Sequence, residues 1–149
     1  MNIEKINFTI DSNDFNALKI KIFFVADPCH HYSNLSEANR NTNHQTPQPG
    51  PTLCDSQLPK GWYRFVGDAG TKMQTTPVPR DRCGTVKSGW LETAHPSVED
   101  GKVRLNVCFG SLSTDCGDRR SVFVKNCGLY YIYELLAPQS CPKRFCGTD

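Results

Sequence analysis

Hydrophobic and polar residues alternate after residue 60 in a way that predicts short β-strands. In KVRLNVCF, residues 102–109, apolar side chains alternate with charged and amide side chains. A period of two places these two kinds of side chain on opposite faces of a strand. Three further stretches are rich in the aromatic and β-branched residues that strands favour, namely GWYRFVG at 61–67, SVFVKNC at 121–127 and LYYIYELL at 129–136. The pattern therefore predicts four strands.

The pattern that is typical of a long amphipathic helix, apolar residues repeated every 3.6 positions, is missing from the chain. HHYSNLSEANR, residues 30–40, predicts one or two helical turns, with Ser33 as the cap ahead of Glu37. NRNTNHQTPQPGP, residues 39–51, predicts a loop because it is polar and rich in proline and asparagine. The expected fold class is a small β-rich domain, mainly β with minor α.

The N-terminal segment differs from the rest of the chain, since it contains no cysteine before Cys29. NALKIKIFFV, residues 16–25, predicts a strand that belongs to a preceding module. We therefore expect an N-terminal segment over 1–26, either a linker or the end of another module, and a domain over 27–149.

The apolar runs are too short for a targeting or membrane segment. Ile22–Ala26 is shorter than the roughly 7 to 15 residues of a signal-peptide core, and every run falls far short of the roughly 20 residues of a membrane-spanning helix. A signal peptide is not evident, and direct membrane insertion is not expected. We expect the chain to be part of a longer precursor with flanking domains, in which Met1 is not the native start.

The charge balance argues against nucleic acid as a partner. The chain has 17 Lys and Arg against 15 Asp and Glu, for a net charge of +2, and these residues are scattered along it. Binding to phosphates requires clustered positive charge. The same scatter leaves no polybasic patch for a membrane surface.

Cysteine content indicates an oxidising compartment. The chain contains eight cysteines, Cys29, Cys54, Cys83, Cys108, Cys116, Cys127, Cys141 and Cys146. None forms the C-x-x-C spacing of zinc knuckles and redox sites, and an even number favours a disulfide framework in an extracellular or cell-surface protein. Their spacing leaves about a hundred pairings open. We expect no metal site and no cofactor.

Candidate chemistry is sparse, and a structural reading is favoured over a catalytic one. Cys29 beside His30 and His31 is the one local candidate nucleophile, but seven other cysteines are available to bridge it. We expect no catalytic residue. The alternatives are a carbohydrate-binding module, or a hydrolase, with a cleft near Trp62 and Trp90, and a structural spacer of the extracellular matrix.

Two asparagines lie in sequons for N-glycosylation. They are Asn7 in NFT and Asn34 in NLS, and both are predicted acceptors in a secreted protein.

Several ordered segments together resemble a known extracellular family. They are DPCHHYSNL, LCDSQLPKGWYRFVGDAGTKM, an RC pair, WLETAHP, GKVRLNVC, SVFVKNCGLYYIYELLAPQSC and the terminal FCGTD. From about Asp27 to Asp149 they resemble the eight-cysteine domain of the uromodulin, zymogen-granule glycoprotein and oncoprotein-induced-transcript type. The resemblance implies a compact disulfide-linked β domain with the pairs Cys29 with Cys127, Cys54 with Cys141, Cys83 with Cys146, and Cys108 with Cys116.

The resemblance also implies a function, and this chain departs from the family's sequence at the residue on which that function depends. Uromodulin-like members have a further bridge at the positions of Pro77 and Asp115, both of which lack cysteine here. Family members display a mannose-rich glycan from a WLNGTHP-like stretch, which bacterial fimbrial adhesins capture. This chain has Glu92 where that asparagine stands, so the acceptor is absent.

For WLETAHP, residues 90–96, we therefore expect a structural loop built on Trp90, Glu92 and His95. The chain is predicted to be a non-catalytic interaction or ligand-display module of an extracellular mosaic glycoprotein, used in adhesion. Its partner would be an extracellular protein or a glycan.

Overall fold

The computed structural model describes residues 6–7, 23–110 and 116–149, and the chain divides into two compact units, 1–31 and 32–149. In the first unit, β1 (Ile6–Asn7) pairs antiparallel with β2 (Phe23–Phe24). A 3₁₀ helix follows at Pro28–His30, where the Cys29 amide donates to the Asp27 carboxylate at 2.9 Å. Most of the strand predicted over 16–25 lies outside the described residues.

The second unit is built from a seven-stranded mixed sheet and a two-stranded ribbon. Its strands are β3 (Ser33–Leu35), β4 (Gly61–Phe65), β5 (Lys72–Met73), β6 (Lys87–Leu91), β7 (Lys102–Gly110), β8 (Cys116–Asn126), β9 (Tyr131–Leu135), β10 (Lys143–Phe145) and β11 (Gly147–Thr148). The sheet order is β10-β6-β7-β8-β9-β4-β3, and β11 pairs with β5. The β10–β6 and β3–β4 pairs are parallel and the others are antiparallel.

The predicted fold class is confirmed, since the four expected strands are β4, β7, β8 and β9. The helical turns predicted around Ser33 are wrong in part. Residues Ser33–Leu35 form a strand that pairs with β4, because Leu35 is then buried in the core, and Ser33 is no helix cap. A 3₁₀ helix occupies Ala38–Arg40 instead.

The main core lies on one face of the sheet. Alternate residues of the central strands point into it, so the period of two seen in the sequence is the period of burial. Its buried members are Leu35, Tyr63, Phe65, Ala69, Met73, Leu91, Val107, Phe109, Val122, Val124, Tyr133, Leu135 and Phe145. Burying a large apolar side chain contributes about 1.5–3 kcal/mol.

A second, smaller cluster covers the opposite face of the sheet near β6. Trp90 packs there with Val78 and Cys108, while its neighbour Leu91 points into the main core. Strand β6 is therefore buried on both faces, and its sequence shows no alternation for that reason.

Disulfides tie the second unit together at three places. They join Cys54 to Cys141, Cys83 to Cys146, and Cys108 to Cys116, which are partners that the resemblance implies. Their Cα atoms lie 5.6, 5.8 and 5.4 Å apart. Cys29 of the first unit and Cys127 of the second are each part of a disulfide.

A buried ion-pair cluster fixes the long segment between β3 and β4 against β10. The Arg40 guanidinium donates to both carboxylate oxygens of Asp55, at 2.8 and 3.0 Å, and to the Phe145 carbonyl at 3.0 Å. Asp55 also accepts the Phe145 amide at 2.8 Å. Arg144 lies beside them, and burial together with the charge of Arg40 lowers the pKa of Arg144 to about 10. Arg40 and Asp55, which lie at or near the ends of a polar stretch of sequence, are thus buried in the interior.

Candidate functional site

The segment WLETAHP begins as a strand and becomes a loop. Trp90 and Leu91 are the last residues of β6. Trp90 therefore lies in a strand, where the sequence predicts a loop. Strand pairing decides this, since Trp90 lies opposite Cys108 of β7 and its side chain is 4% exposed. The connection to β7 then runs over residues 92–101, which we call the 92–101 loop.

Glu92 starts this loop and is held by an ion pair. The Arg119 Nε donates to both Glu92 carboxylate oxygens, at 2.9 and 3.0 Å. The Glu92 amide donates to the Asn106 carbonyl at 3.1 Å, which continues the β6–β7 pairing by one residue. Both the side chain and the backbone of Glu92 are therefore engaged in holding the loop.

Glu92 also belongs to the one group of three potential metal-ligating side chains in the described ranges. Its carboxylate lies within 4.8 Å of the sulfurs of Cys108 and Cys116. These sulfurs are bonded to each other, and a metal requires the thiolate form of cysteine. The group therefore does not have the donors of a metal site.

His95 occupies the middle of the loop and is a hydrogen-bond acceptor. Its Nε2 lies 2.8 Å from the Tyr133 hydroxyl, which itself accepts the Met73 amide at 2.9 Å. Because the Tyr133 hydroxyl already accepts an amide, we infer that its own proton is donated to Nε2 and that the imidazole proton is on Nδ1. The His95 ring also stacks on Tyr131, with centroids 4.2 Å apart.

Burial and the nearby charge of Lys72 lower the pKa of His95 to about 4. Burial raises the pKa of Tyr133, so its hydroxyl stays protonated and keeps donating. His95 is consequently neutral near pH 7 and serves to position the loop.

Replacing His95 with glutamine is expected to remove part of the acid sensitivity of the domain. The His95 pKa is about 4 in the folded protein against 6.5 ordinarily, so the unfolded chain binds the additional proton between these values. The contribution of the neutral His95 ring to the free energy of unfolding is fully present above pH 6.5 and is lost as the pH falls toward 4. Because the ring is partly exposed, we expect this loss to be about 1–2 kcal/mol.

Urea denaturation at several pH values between neutrality and pH 4 measures this effect. The matched control is His44→Gln, since His44 is exposed and outside the 92–101 loop. A slope of stability against pH that is the same in His95→Gln and in the unaltered chain would contradict the assignment.

The far end of the 92–101 loop is fastened as well. The Asn126 side chain donates to the Pro96 carbonyl at 3.0 Å, and the Ser97 amide donates to the Asp100 carboxylate at 2.8 Å. Thr93 and Ala94, between the fixed points, are exposed. The loop therefore presents a short segment from a framework that is held at both ends.

Of the two predicted glycan acceptors, the structure describes the side chain of Asn34 but not that of Asn7. Asn34 is exposed on β3, the edge strand next to β4, while its neighbour Leu35 points into the core. The side chain of Asn7 lies outside the described parts of the molecule.

Trp62 and Trp90 do not form a common cleft. Trp62 lies on β4 and Trp90 on β6, and the strands β7, β8 and β9 separate them in the sheet. Both residues alternate with core residues, Tyr63 and Leu91, so their side chains lie on the face of the sheet that is turned away from the core, with three strands between them. The predicted cleft near both residues is wrong for this reason.

Two cavities beside β5 were not expected from the sequence. One has a volume of about 340 Å³ and the other about 420 Å³, and Lys72 and Tyr131 line both. Lys72 lies in a two-residue strand, which carries no recognisable pattern of its own. His95 lines the second cavity, so the 92–101 loop borders this surface.

No helix in the described ranges has the length and apolar character needed to cross a membrane.

Comparison with known proteins places these features in a family. The family model described as a uromodulin-like domain matches residues 63–147. The chain is 38% identical over 124 residues to the pancreatic secretory granule membrane major glycoprotein GP2 of dog (Canis lupus familiaris), covering 83% of this chain and 23% of that protein. It is 39% identical over 124 residues to uromodulin of mouse (Mus musculus), covering 83% of this chain and 18% of that protein. Human GP2 is 36% identical over 121 residues, covering 80% of this chain and 22% of that protein.

The chain thus spans only about a fifth of these curated relatives. The matched range runs from the third residue of β4 to the first residue of β11. It includes the 92–101 loop and both partners of two disulfides, Cys83–Cys146 and Cys108–Cys116. The chain belongs to the family of disulfide-rich, uromodulin-like domains.

Proposed function

We propose that this domain is a non-catalytic interaction and ligand-display module of a longer secreted or cell-surface glycoprotein. The observation that carries the proposal is the construction of the 92–101 loop. Glu92 and His95, which flank its displayed segment, are engaged by Arg119 and Tyr133, while Thr93 and Ala94 are presented to solvent. Such a loop supports display, because its reactive groups are used as anchors.

The disulfides support an extracellular location. Bridges that persist require an oxidising compartment, and free thiols are absent among the described cysteines. We infer that flanking domains accompany this one in a longer chain, and that its partner is an extracellular protein or a glycan.

The displayed group in this chain differs from that of its relatives. The resemblance implies that relatives carry a mannose-rich glycan where Glu92 stands, and here the Glu92 carboxylate pairs with Arg119. We infer that the loop does not capture mannose-specific fimbrial adhesins. Asn34 is the acceptor we propose instead, because it is exposed on an edge strand, where a glycan would also block pairing with another chain.

Restoring a sequon in the loop is expected to restore adhesin capture. Glu92→Asn together with Ala94→Thr creates an Asn-Thr-Thr acceptor at an exposed turn. Expressed in a secretory host that adds mannose-rich glycans, the double variant should gain one glycan by intact mass and bind a mannose-specific fimbrial adhesin. With the loop unaltered, the chain should not bind once both predicted acceptors are removed by Asn7→Gln and Asn34→Gln.

The matched control is Glu92→Asn alone. It removes the ion pair with Arg119 but creates no sequon, since Ala94 remains two residues further on. With Asn7→Gln and Asn34→Gln both present, capture by this control or by the chain with the unaltered loop would overturn the proposal. Capture that requires both changes and is lost on enzymatic deglycosylation supports it.

A further inference from the structure

A two-lobed groove on the second unit has the size of a small-ligand site. Its cavities of about 340 and 420 Å³ share Lys72 and Tyr131 as a common wall. Arg64 and Tyr130 line the first lobe, and Gln74 and His95 line the second. Each volume lies within the range of about 300–1,000 Å³ that is usual for small-ligand pockets.

The groove is cationic and has no acidic residue in its lining. Arg64 and Lys72 are its two charged members. In the described part of the chain, neither of them has a carboxylate within 4.0 Å. Two cations in a concave site without a counter-charge attract an anion, and Arg64 offers the paired donors that suit a carboxylate or a sulfate.

Arg64 is held in place before any ligand arrives. Its guanidinium carbon lies 3.9 Å from the centroid of the Tyr130 ring, and its Nη1 donates to the Tyr32 hydroxyl at 3.1 Å. Its Nε is buried and has no hydrogen-bond partner among the described residues. The guanidinium is thus oriented by its neighbours, which is a pre-organised arrangement for binding.

The rest of the lining fits a sugar ring. Tyr131 is fixed by its stacking on His95, and Tyr130 by its stacking on Arg64, so both lobes have an aromatic wall. Aromatic faces pack against the C–H face of a pyranose. The side-chain carbonyl of Gln74, whose amide nitrogen already donates to Thr76, and the hydroxyl of Thr71 supply the few polar groups that orient a bound hydroxylated ring.

We propose that this groove binds an acidic sugar residue, with its carboxylate or sulfate between Arg64 and Lys72 and its ring against Tyr131. The inference concerns a ligand that the domain takes up, and it does not depend on the display function proposed for the 92–101 loop. The groove would give the domain a lectin activity of its own.

Ligand-observed NMR and calorimetry on the full 149-residue chain test this inference. The probes are N-acetylneuraminic acid, N-acetylglucosamine 6-sulfate, neutral N-acetylglucosamine and inorganic sulfate. We expect saturable binding of at least one acidic sugar with a Kd of about 1 mM, and binding of the neutral sugar that is weaker by about tenfold or more. The two acidic probes distinguish a carboxylate from a sulfate as the preferred anion.

Single substitutions locate the site. Lys72→Gln and Arg64→Gln should each weaken binding by about fivefold or more, while Lys72→Arg should retain most of it. The matched control is Lys102→Gln, since Lys102 is an exposed lysine over the Phe123 ring and outside the groove. Near-UV circular dichroism verifies the fold of each variant, and the comparison of Lys72→Gln with Lys102→Gln suffices if Arg64→Gln does not fold.

Several results would overturn the inference. They are absence of saturable binding of both acidic sugars at about 10 mM, equal losses in Lys72→Gln and Lys102→Gln, or a neutral sugar that binds as tightly as an acidic one. Inorganic sulfate that binds as tightly as the sulfated sugar would reduce the groove to an unselective anion site and would equally overturn the assignment. None of these outcomes bears on adhesin capture, so the two proposals fail separately.

Discussion

Replacing Asp55 with alanine is expected to lower the free energy of unfolding by about 3–5 kcal/mol, because it removes the buried carboxylate that compensates buried positive charge. The Asp55 and Arg40 side chains are only 5% and 4% exposed. Arg144, whose side chain is 5% exposed, lies 3.9 Å from the same carboxylate. Removing the one fully buried anion of this cluster, as far as the described residues show it, would leave both guanidinium groups with the half-exposed carboxylate of Glu37 in place of a buried partner.

The same substitution removes two kinds of hydrogen bond. Asp55 accepts from Arg40 through both oxygens and from the Phe145 amide through one. A buried amide that loses its acceptor costs about 1–3 kcal/mol, and Phe145 belongs to the core strand β10. Asp55→Ala should therefore also destabilise β10, which lies at one edge of the sheet.

Urea or guanidinium denaturation under non-reducing conditions measures the effect. The matched control is Glu37→Ala, which removes a carboxylate from the same two arginines but from a position that is 48% exposed. Its cost should be below about 1 kcal/mol, since exposed ion pairs are screened by water. Similar losses for Asp55→Ala and Glu37→Ala would contradict the role assigned to burial.

The second large effect is expected from removing the bridge between Cys54 and Cys141. These residues are 87 apart in the sequence. A bridge across a loop of that length lowers the conformational entropy of the unfolded chain and so raises the free energy of unfolding by about 4–5 kcal/mol at 25 °C. Cys141 is exposed and Cys54 partly so, so their replacement by alanine leaves little buried space. The double variant should lose most of this amount in reversible denaturant unfolding.

The bridge between Cys108 and Cys116 provides the comparison. Its partners are only eight residues apart, for which the same relation gives about 2.5 kcal/mol. Cys108 is fully buried next to Trp90, so its replacement also disturbs packing and raises the cost of this control. If the Cys54–Cys141 double variant lost less than the about 2.5 kcal/mol expected for an eight-residue loop, restriction of the unfolded chain would not be the dominant contribution of the longer bridge.

The strands with local alternation were predictable, and the short or doubly buried ones were not. Strand β7 was predictable because one face is buried and the other is in contact with water, so its sequence alternates. Strand β6 is buried on both faces, and β5 and β11 contain only two residues each, too few to show any period. Tertiary pairing creates these strands, so no local signal marks them.

The buried cluster of Arg40, Asp55 and Arg144 was even less predictable from local sequence than the short strands. Arg40 lies at the start of a polar, proline-rich stretch that is typical of a surface loop, and Asp55 lies 15 residues beyond it. Each is an ordinary exposed charge by sequence, since charged residues are rarely buried unless they are paired. Only the approach of β10, about a hundred residues further along the chain, supplies the Phe145 backbone and Arg144 that make the interior site.

Residue type and order establish the strand-forming pattern, the even set of eight cysteines and the presence of a glutamate, Glu92, within WLETAHP. The tertiary structure alone decided that Glu92 pairs with Arg119, that His95 accepts from Tyr133, and that Arg64 and Lys72 face a common groove. These partners are separated along the chain and meet only when the sheet has formed. Their chemistry therefore depends on distance and burial, which residue order does not encode locally.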